Sequence, residues 1–80
     1  MSLLNDAIRS ETKAELARSG KTQTGLSAYL DITGWTLTQK LQGVTAFKTT
    51  EVDKIAAFLG YDPFEFVARA GRNWNERSVA

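Results

Sequence analysis

Apolar residues recur at helical spacing along most of the chain, and glycines interrupt this periodicity at several points. Alternation of apolar and polar residues never persists over the length of a strand. The pattern therefore predicts an all-α fold of five helices. Their predicted extents are residues 3–19, residues 22–30 with Thr22 as the cap, residues 33–42 with Thr33 as the cap, residues 50–59 with Thr50 as the cap, and a last helix capped by Asp62.

The predicted ends of these helices follow from the residues that flank them. Gly43 and Gly60 come directly after periodic segments, where a glycine readily adopts the left-handed conformation. Pro63 lies in the first turn of the last helix, where its missing N–H costs nothing. Residues 71–80 show no periodicity. They are interpreted as a C-terminal tail that follows a domain of residues 1–70. The tail is either disordered or loosely packed, or it binds a partner through Arg72, Asn73, Trp74 and Arg77.

The composition narrows the classes of function. A chain of 80 residues has room for one domain with one core, and its net charge of +1 does not indicate a partner. It contains no cysteine and no histidine, which removes thiolate nucleophiles, the commonest general base and most transition-metal sites. We therefore expect no enzymatic activity, no cofactor or metal, and no small-molecule substrate. No apolar stretch approaches the roughly 20 residues that span a bilayer, so we expect no membrane partner and a cytoplasmic protein.

Residues 23–43 contain the pattern on which the functional prediction depends. Apolar residues occupy inward positions on both sides of a short turn at Asp31. This arrangement is typical of two short helices that meet at a steep angle, with the later helix held against the earlier one. The residues expected to be buried are Leu26, Leu30, Ile32, Leu37 and Leu41.

Eight positions of this segment match a known pattern, namely Gln23, Leu26, Ser27, Asp31, Ile32, Thr33, Leu37 and Gly43. With them the segment resembles the helix-turn-helix of the lambda-type phage repressors, the Cro proteins and their bacterial relatives. The similarity continues through the fourth helix and the DPFEF segment of the fifth, so it covers residues 3–68. It implies a five-helix, lambda-repressor-like DNA-binding domain that acts in a bacterial host cell, with a temperate phage or prophage origin.

Three positions depart from that family's pattern. Asp31 replaces the usual turn glycine, which is tolerable because aspartate enters the left-handed region more readily than most residues. Ser27 replaces an alanine and is still small enough for the helix crossing. Lys40 replaces an apolar residue, so we expect its methylene stem to cover the edge of the core while its ammonium group reaches water or a DNA phosphate.

A helical wheel of residues 33–42 predicts the surface that faces DNA. With Leu37 and Leu41 turned inward, the outer face contains no acidic residue and offers glutamine, threonine and tryptophan side chains. Glutamine pairs with adenine, threonine accepts or donates at either type of base, and tryptophan contacts thymine methyl groups. The predicted base contacts are Gly34, which lets the backbone approach the duplex, Trp35, Thr36, Thr38, Gln39 and Gln42.

The phosphate contacts are expected beside this face. In the family that the segment resembles, the glutamine at the position of Gln23 holds a phosphate together with backbone N–H groups at the start of its helix. Residues 18–48 contain four basic residues and one acidic residue, a local charge of about +3 in a chain that is otherwise mildly acidic. The predicted phosphate contacts are Lys21, Gln23, Thr24, Thr33, Lys40 and Lys48.

These features predict a sequence-specific transcriptional regulator that binds a double-stranded DNA operator with residues 33–42 in the major groove. A homodimer formed through the last helix and the tail is a further expectation, motivated by the aromatic residues there, because a single module makes few contacts with DNA. The alternative is a helical protein-interaction module, antitoxin-like or an adaptor, that uses the same fold without sequence-specific DNA binding.

Some of the remaining residues have structural interpretations. Glu11 and Glu15 lie at helical spacing with Lys13 and Arg18 nearby, and solvated ion pairs explain them. Phe47 is expected to fill the core beneath its loop. Trp35 has two alternatives to base contact: it could anchor a self-association surface or fold back on the second helix.

Overall fold

The chain folds into five α-helices in the computed structural model, which describes residues 3–79 and the side chains of residues 3–76. No strand is present within residues 3–79, so the predicted all-α fold of five helices is confirmed. Met1, Ser2 and Ala80 lie outside the described residues. The helices are α1 (Leu3–Ser19), α2 (Gln23–Leu30), α3 (Gly34–Leu41), α4 (Thr49–Leu59) and α5 (Pro63–Val79).

The helix ends agree with the local signals in most places. α1 has the predicted bounds, and α2 and α3 follow the threonines expected to cap them. Gly43 and Gly60 have φ values of 84° and 87°, in the left-handed region that was expected for them. Asp62 Oδ2 accepts the backbone N–H groups of Phe64 and Glu65 at 3.0 and 3.2 Å, which confirms it as the cap of α5.

α4 begins at Thr49, two positions earlier than a Thr50 cap would place it, because its cap is Lys48. The backbone N–H of Lys48 donates to Glu51 Oε1 at 2.8 Å. A glutamate three residues after the cap thus satisfies an amide that has no partner within the helix. The start of α4 is therefore fixed by a carboxylate, and Thr50 lies inside the first turn.

α5 passes through the predicted domain boundary at residue 70 without a break and ends at Val79. The interpretation of residues 71–80 as a disordered or loosely packed tail is therefore wrong for their described part. Trp74 packs against the core, and Asn73 Nδ2 donates to Glu11 Oε1 at 2.7 Å. Both side chains continue the inward stripe of Phe66 and Ala70, which makes α5 a single long helix.

The core joins all five helices. α1 and α5 form the most extensive pair, α4 packs against α1, α2 and α5, and α3 packs against α1 and α2. The side chains of Leu26, Leu37, Ile55 and Phe66 are fully buried, one from each of α2 to α5. Each contributes about 1.5–3 kcal/mol by leaving water. These four residues therefore fix α2 and α3 on the rest of the molecule.

The loop between α3 and α4 is tied to α1. Phe47 is buried, as expected, and its backbone N–H donates to Asn5 Oδ1 at 2.8 Å.

The fold is small, with a Cα radius of gyration of 11.7 Å. Within residues 3–79, no helix combines the length and the apolar character that a membrane span requires.

Candidate nucleic-acid interface

α2, the turn of residues 31–33 and α3 form a unit whose two helix starts are capped. The hydroxyls of Thr22 and Thr33 accept the backbone N–H groups three residues later, at 3.0 and 3.1 Å. Asp31 ends α2 with φ 58° and ψ 44°, so its expected left-handed conformation is confirmed. These local bonds set the direction in which the chain enters α3.

The inner side of the unit is apolar, as the sequence pattern predicted. The four leucines are buried and Ile32 is partly buried against the same core. Because Leu37 and Leu41 are both enclosed, α3 is held along most of its length and its rotation about its own axis is fixed. The buried residues are Leu26, Leu30, Leu37 and Leu41.

α2 approaches α4 closely at Gly25, a contact that no local pattern in the sequence indicates. A Cβ atom at this position would lie 3.3 Å from Phe58 Cζ. The ring of Phe58 in turn packs against Tyr29, with 5.4 Å between ring centroids, and lies under the ammonium group of Lys21 at 5.1 Å. The missing side chain at position 25 therefore lets the start of α2 rest on α4.

The outer side of α3 is polar apart from one indole. Trp35 is 72% exposed, so the alternative in which it folds back on α2 is wrong. Gly34 and Gln42 are exposed, and the remaining three predicted base contacts are partly exposed. The structure thus places the following predicted base contacts on the accessible part of one helix and its C-terminal cap: Gly34, Trp35, Thr36, Thr38, Gln39 and Gln42.

The hydroxyl groups beside this face are partly engaged. Thr38 Oγ1 donates to the Gly34 carbonyl at 2.9 Å. Thr33 Oγ1 donates to Thr36 Oγ1, also at 2.9 Å. A threonine hydroxyl has one hydrogen to donate and two lone pairs to accept with. The hydrogens of Thr33 and Thr38 are therefore in use, and the hydrogen of Thr36 is not consumed by these two bonds.

Five of the six predicted phosphate contacts lie at the surface. Gln23 and Thr24 are in the first turn of α2, and Lys48 caps α4. Lys21 Nζ donates to the Phe58 carbonyl at 2.5 Å, near the end of α4. The carbonyl is uncharged, so the positive charge of Lys21 remains and is held beside the start of α2. The exposed residues are Lys21, Gln23, Thr24, Thr33 and Lys48.

Lys40 is the exception, and its prediction as a phosphate contact is wrong. The residue is only 7% exposed. Its Nζ lies 3.1 Å from Glu51 Oε1, donates to the Ala46 carbonyl at 3.0 Å and lies 6.0 Å from the centroid of the Phe47 ring. The methylene stem covers the edge of the core, as expected, but the ammonium group binds a carboxylate. Lys40 therefore connects the end of α3 to the start of α4.

A cluster of charged side chains lies between α1 and α5, and the sequence pattern did not lead us to expect it. Glu11 and Glu15 are buried, so their interpretation as solvated ion pairs is wrong. Arg18 pairs with both carboxylates, and Arg69 Nε lies 3.2 Å from Glu11 and 3.4 Å from Glu15. The hydroxyl of Tyr61 donates to Glu15 at 3.0 Å. The signal in the sequence was the position of both glutamates on the inward stripe of α1.

The cluster changes the acidity of its members. Burial acts to raise the pKa of the Glu15 carboxyl, but hydrogen bonds from Arg18 and Tyr61, with the charges of Arg18 and Arg69, bring it below its ordinary value. The hydrogen bond to Glu15, with burial, raises the pKa of Tyr61. A separate hydrogen bond, which Arg18 donates to Glu15, raises the pKa of Arg18. Glu15 is therefore ionised at neutral pH and binds α5 as an anion.

The pairing also reduces the free positive charge near α3. Arg18 is bound to carboxylates of α1, and Lys40 is bound to Glu51 of α4. The ion pairs of the described side chains thus leave Lys21 and Lys48 as the cations of residues 18–48 that are not matched by an acidic group. The local charge of about +3 overstates what a ligand of this surface would meet.

The chain matches no protein-family model, and its comparison with curated proteins and with solved structures likewise gives no match. Function must therefore be inferred from the exposed side of α3 and its surroundings.

Proposed function

We propose that the protein is a sequence-specific, double-stranded-DNA-binding regulator of transcription that places α3 in the major groove. The observation that carries this proposal is the exposed side of α3. It presents an indole that is 72% exposed among amide and hydroxyl groups, without an acidic residue, on a helix fixed by buried leucines. The resemblance to the helix-turn-helix of phage repressors and Cro proteins, noted in the sequence, supports the same conclusion.

The chemistry of this surface suits the edges of base pairs. The amides of Gln39 and Gln42 can each make two hydrogen bonds to adenine N6 and N7. The indole of Trp35 offers apolar contact to thymine methyl groups, which protrude into the major groove. Tryptophan is also enriched at interfaces, where its ring supplies a large apolar contact and its N–H a hydrogen-bond donor. DNA supplies both kinds of contact within one groove.

Phosphate contacts would hold the helix in register. Gln23, Thr24 and the backbone N–H groups at the start of α2 form one group of donors, and the exposed ammonium groups of Lys21 and Lys48 provide the charge. Thr33 has no free hydroxyl hydrogen to donate to a phosphate, since its Oγ1 already donates to Thr36 Oγ1. Lys40 has no part in this set.

We also propose that two copies bind one operator. α3 has eight residues and is therefore about 12 Å long, which covers roughly four base pairs. Such a short contact gives little specificity. Two half-sites one helical turn apart would double the number of base pairs that the protein contacts. Phe64, at the start of α5, is 85% exposed, and aromatic side chains of this kind are enriched at protein–protein interfaces, so it is suited to a contact between the two copies.

Selection of binding sites from a pool of random duplexes tests the proposed function. We expect one enriched sequence, bound about a thousandfold more tightly than random duplex at physiological salt. Gln39→Ala should change the preferred base at one position and weaken binding to the selected site by about 1–3 kcal/mol. Lys54→Ala, at an exposed position of α4, is the control and should leave the preference unchanged. Equal affinity for selected and random duplexes would contradict the proposal.

The second candidate is a helical module that binds a protein, antitoxin-like or an adaptor. The observation that favours it is the small free charge near α3, together with the exposed indole of Trp35. Apolar anchors surrounded by few charges are typical of protein interfaces. A selection that enriches no sequence, with weak binding to duplex that Trp35→Ala does not change, would favour this candidate.

A further inference from the structure

We propose that Thr38 recognises an exocyclic amino group in the major groove, adenine N6 or cytosine N4, by acting as a hydrogen-bond acceptor. This inference rests on the proposed function and narrows it, because it states which chemical group the operator presents at one position. It depends on how the hydroxyl groups along α3 are already used.

The hydroxyl hydrogen of Thr38 is committed. Its Oγ1 lies 2.9 Å from the Gly34 carbonyl oxygen, which can only accept a hydrogen bond. In a helix a threonine has two accessible rotamers, and this one places the hydroxyl on the carbonyl four residues earlier. The two lone pairs of Oγ1 remain. Thr38 is therefore an acceptor toward any ligand that contacts the side of α3.

Thr36, on the opposite side of the recognition face, has the reverse polarity. Its Oγ1 already accepts the hydroxyl hydrogen of Thr33 at 2.9 Å. Thr33 in turn accepts the backbone N–H of Thr36 at 3.1 Å, so the two side chains hold each other. The hydrogen of Thr36 is the one left to donate. Two chemically identical side chains on one helix thus present an acceptor and a donor.

The major groove distinguishes a hydroxyl that accepts a hydrogen bond from one that donates it. Its hydrogen-bond donors are the amino groups of adenine and cytosine, and its acceptors are guanine O6 and N7, adenine N7 and thymine O4. An acceptor that faces guanine O6 or thymine O4 would place two lone pairs against each other and leave both without a partner. Thr38 should therefore favour adenine or cytosine on the strand that it faces and disfavour guanine and thymine there.

Deletion of single amino groups from the selected duplex tests this inference. Each adenine is replaced in turn by purine, and each cytosine by 2-pyrimidinone, so that only the amino group is lost. The full-length wild type is compared with Thr38→Val, which keeps the shape but not the hydroxyl, and with Thr38→Ser, which keeps the hydroxyl but not the methyl group. Thr36→Val is the matched control, and circular dichroism confirms that each variant is folded.

We expect one amino deletion to weaken wild-type binding about fivefold, the value of a single hydrogen bond. The same deletion should weaken Thr38→Ser and Thr36→Val equally, and should not weaken Thr38→Val further. If every deletion affects wild type and Thr38→Val alike, or if Thr38→Ser loses the effect as Thr38→Val does, the inference is wrong while the proposed function stands. If the wild type selects no site, both are wrong.

Discussion

Asp31 has a backbone conformation that costs most residues about 1–2 kcal/mol, because the Cβ atom approaches the following carbonyl. The conformation is needed here. It lets the N–H groups of Asp31 and Ile32 donate to the carbonyls of Ala28 and Ser27, at 3.2 and 3.1 Å, and turns the chain toward α3. The carboxylate itself gives no benefit at this position, since it lies at the negative end of α2.

We predict that Asp31→Ala lowers the free energy of unfolding by about 1 kcal/mol, although it removes an unfavourable charge, because alanine tolerates a positive φ poorly. Asp31→Gly should not lower it, because glycine adopts this conformation without strain. Urea unfolding followed by circular dichroism measures both. Asp53→Ala, at an exposed position, should change stability by less than about 0.5 kcal/mol. Equal losses for the alanine and glycine variants would mean that the carboxylate matters and the backbone does not.

At the scale of single residues, the sequence predicted what depends on near neighbours. Thr22, Thr33 and Asp62 were predicted as caps because each bonds to a backbone group a few residues away. The role of Lys40 could not be predicted in this way. Its partner Glu51 belongs to another helix, and only the folded chain brings the end of α3 near the start of α4.

Among the helices, α1 and α5 are joined by charge as well as by apolar contact. Removing a carboxylate from water costs several kcal/mol, and only good partners offset that cost. Glu11 and Glu15 have such partners in Arg69, Asn73 and Tyr61. The docking of α5 therefore depends on the ionised carboxylate of Glu15, which Arg69 of α5 contacts. The sequence suggested solvated pairs because it shows charges along α1 but not the helix that covers them.

We predict that stability falls in acid because of this cluster. The pKa of Glu15 is lower in the folded protein than its ordinary value of 4.5, so the unfolded chain takes up the proton first. The stabilisation is fully present above about pH 4.5, the ordinary pKa of the carboxyl, and is lost as the pH falls through the lower pKa of the folded protein. Urea unfolding at several pH values should show this decline, and Glu15→Gln should flatten it.

The control for that experiment is Glu76→Gln, an exposed carboxylate near the end of α5. It should leave the pH dependence of the free energy of unfolding unchanged. If Glu15→Gln has the same acid decline as the wild type, then other carboxylates cause it, and the α1–α5 contact does not depend on Glu15.

For the whole molecule, the distribution of charge differs from what the sequence suggested. Composition gave a basic central segment in a nearly neutral chain. Folding pairs Arg18 and Lys40 with carboxylates outside that segment, and these carboxylates neutralise the charges of the two cations. The helices and the exposed face of α3 could be predicted because periodicity reports them. Net charge at a surface could not, because it depends on which distant side chains meet.

This pairing predicts how DNA binding depends on salt. Each phosphate contact made by a cation contributes about −0.9 to the slope of log affinity against log salt concentration. With Lys21 and Lys48 as the contributing cations, we expect a slope of about −2 for each protomer on random duplex. Lys48→Gln should make it shallower by about 0.9, and Lys13→Gln, at an exposed position of α1, should not change it. Fluorescence anisotropy titrations between 50 and 300 mM salt measure the slope; over this range the Debye length falls from about 14 Å to about 6 Å. A wild-type slope near −4 would mean that Arg18 and Lys40 leave their carboxylates to bind phosphates. The ion pairs of Arg18 within α1 and the ion pair of Lys40 between α3 and α4 would then open on DNA.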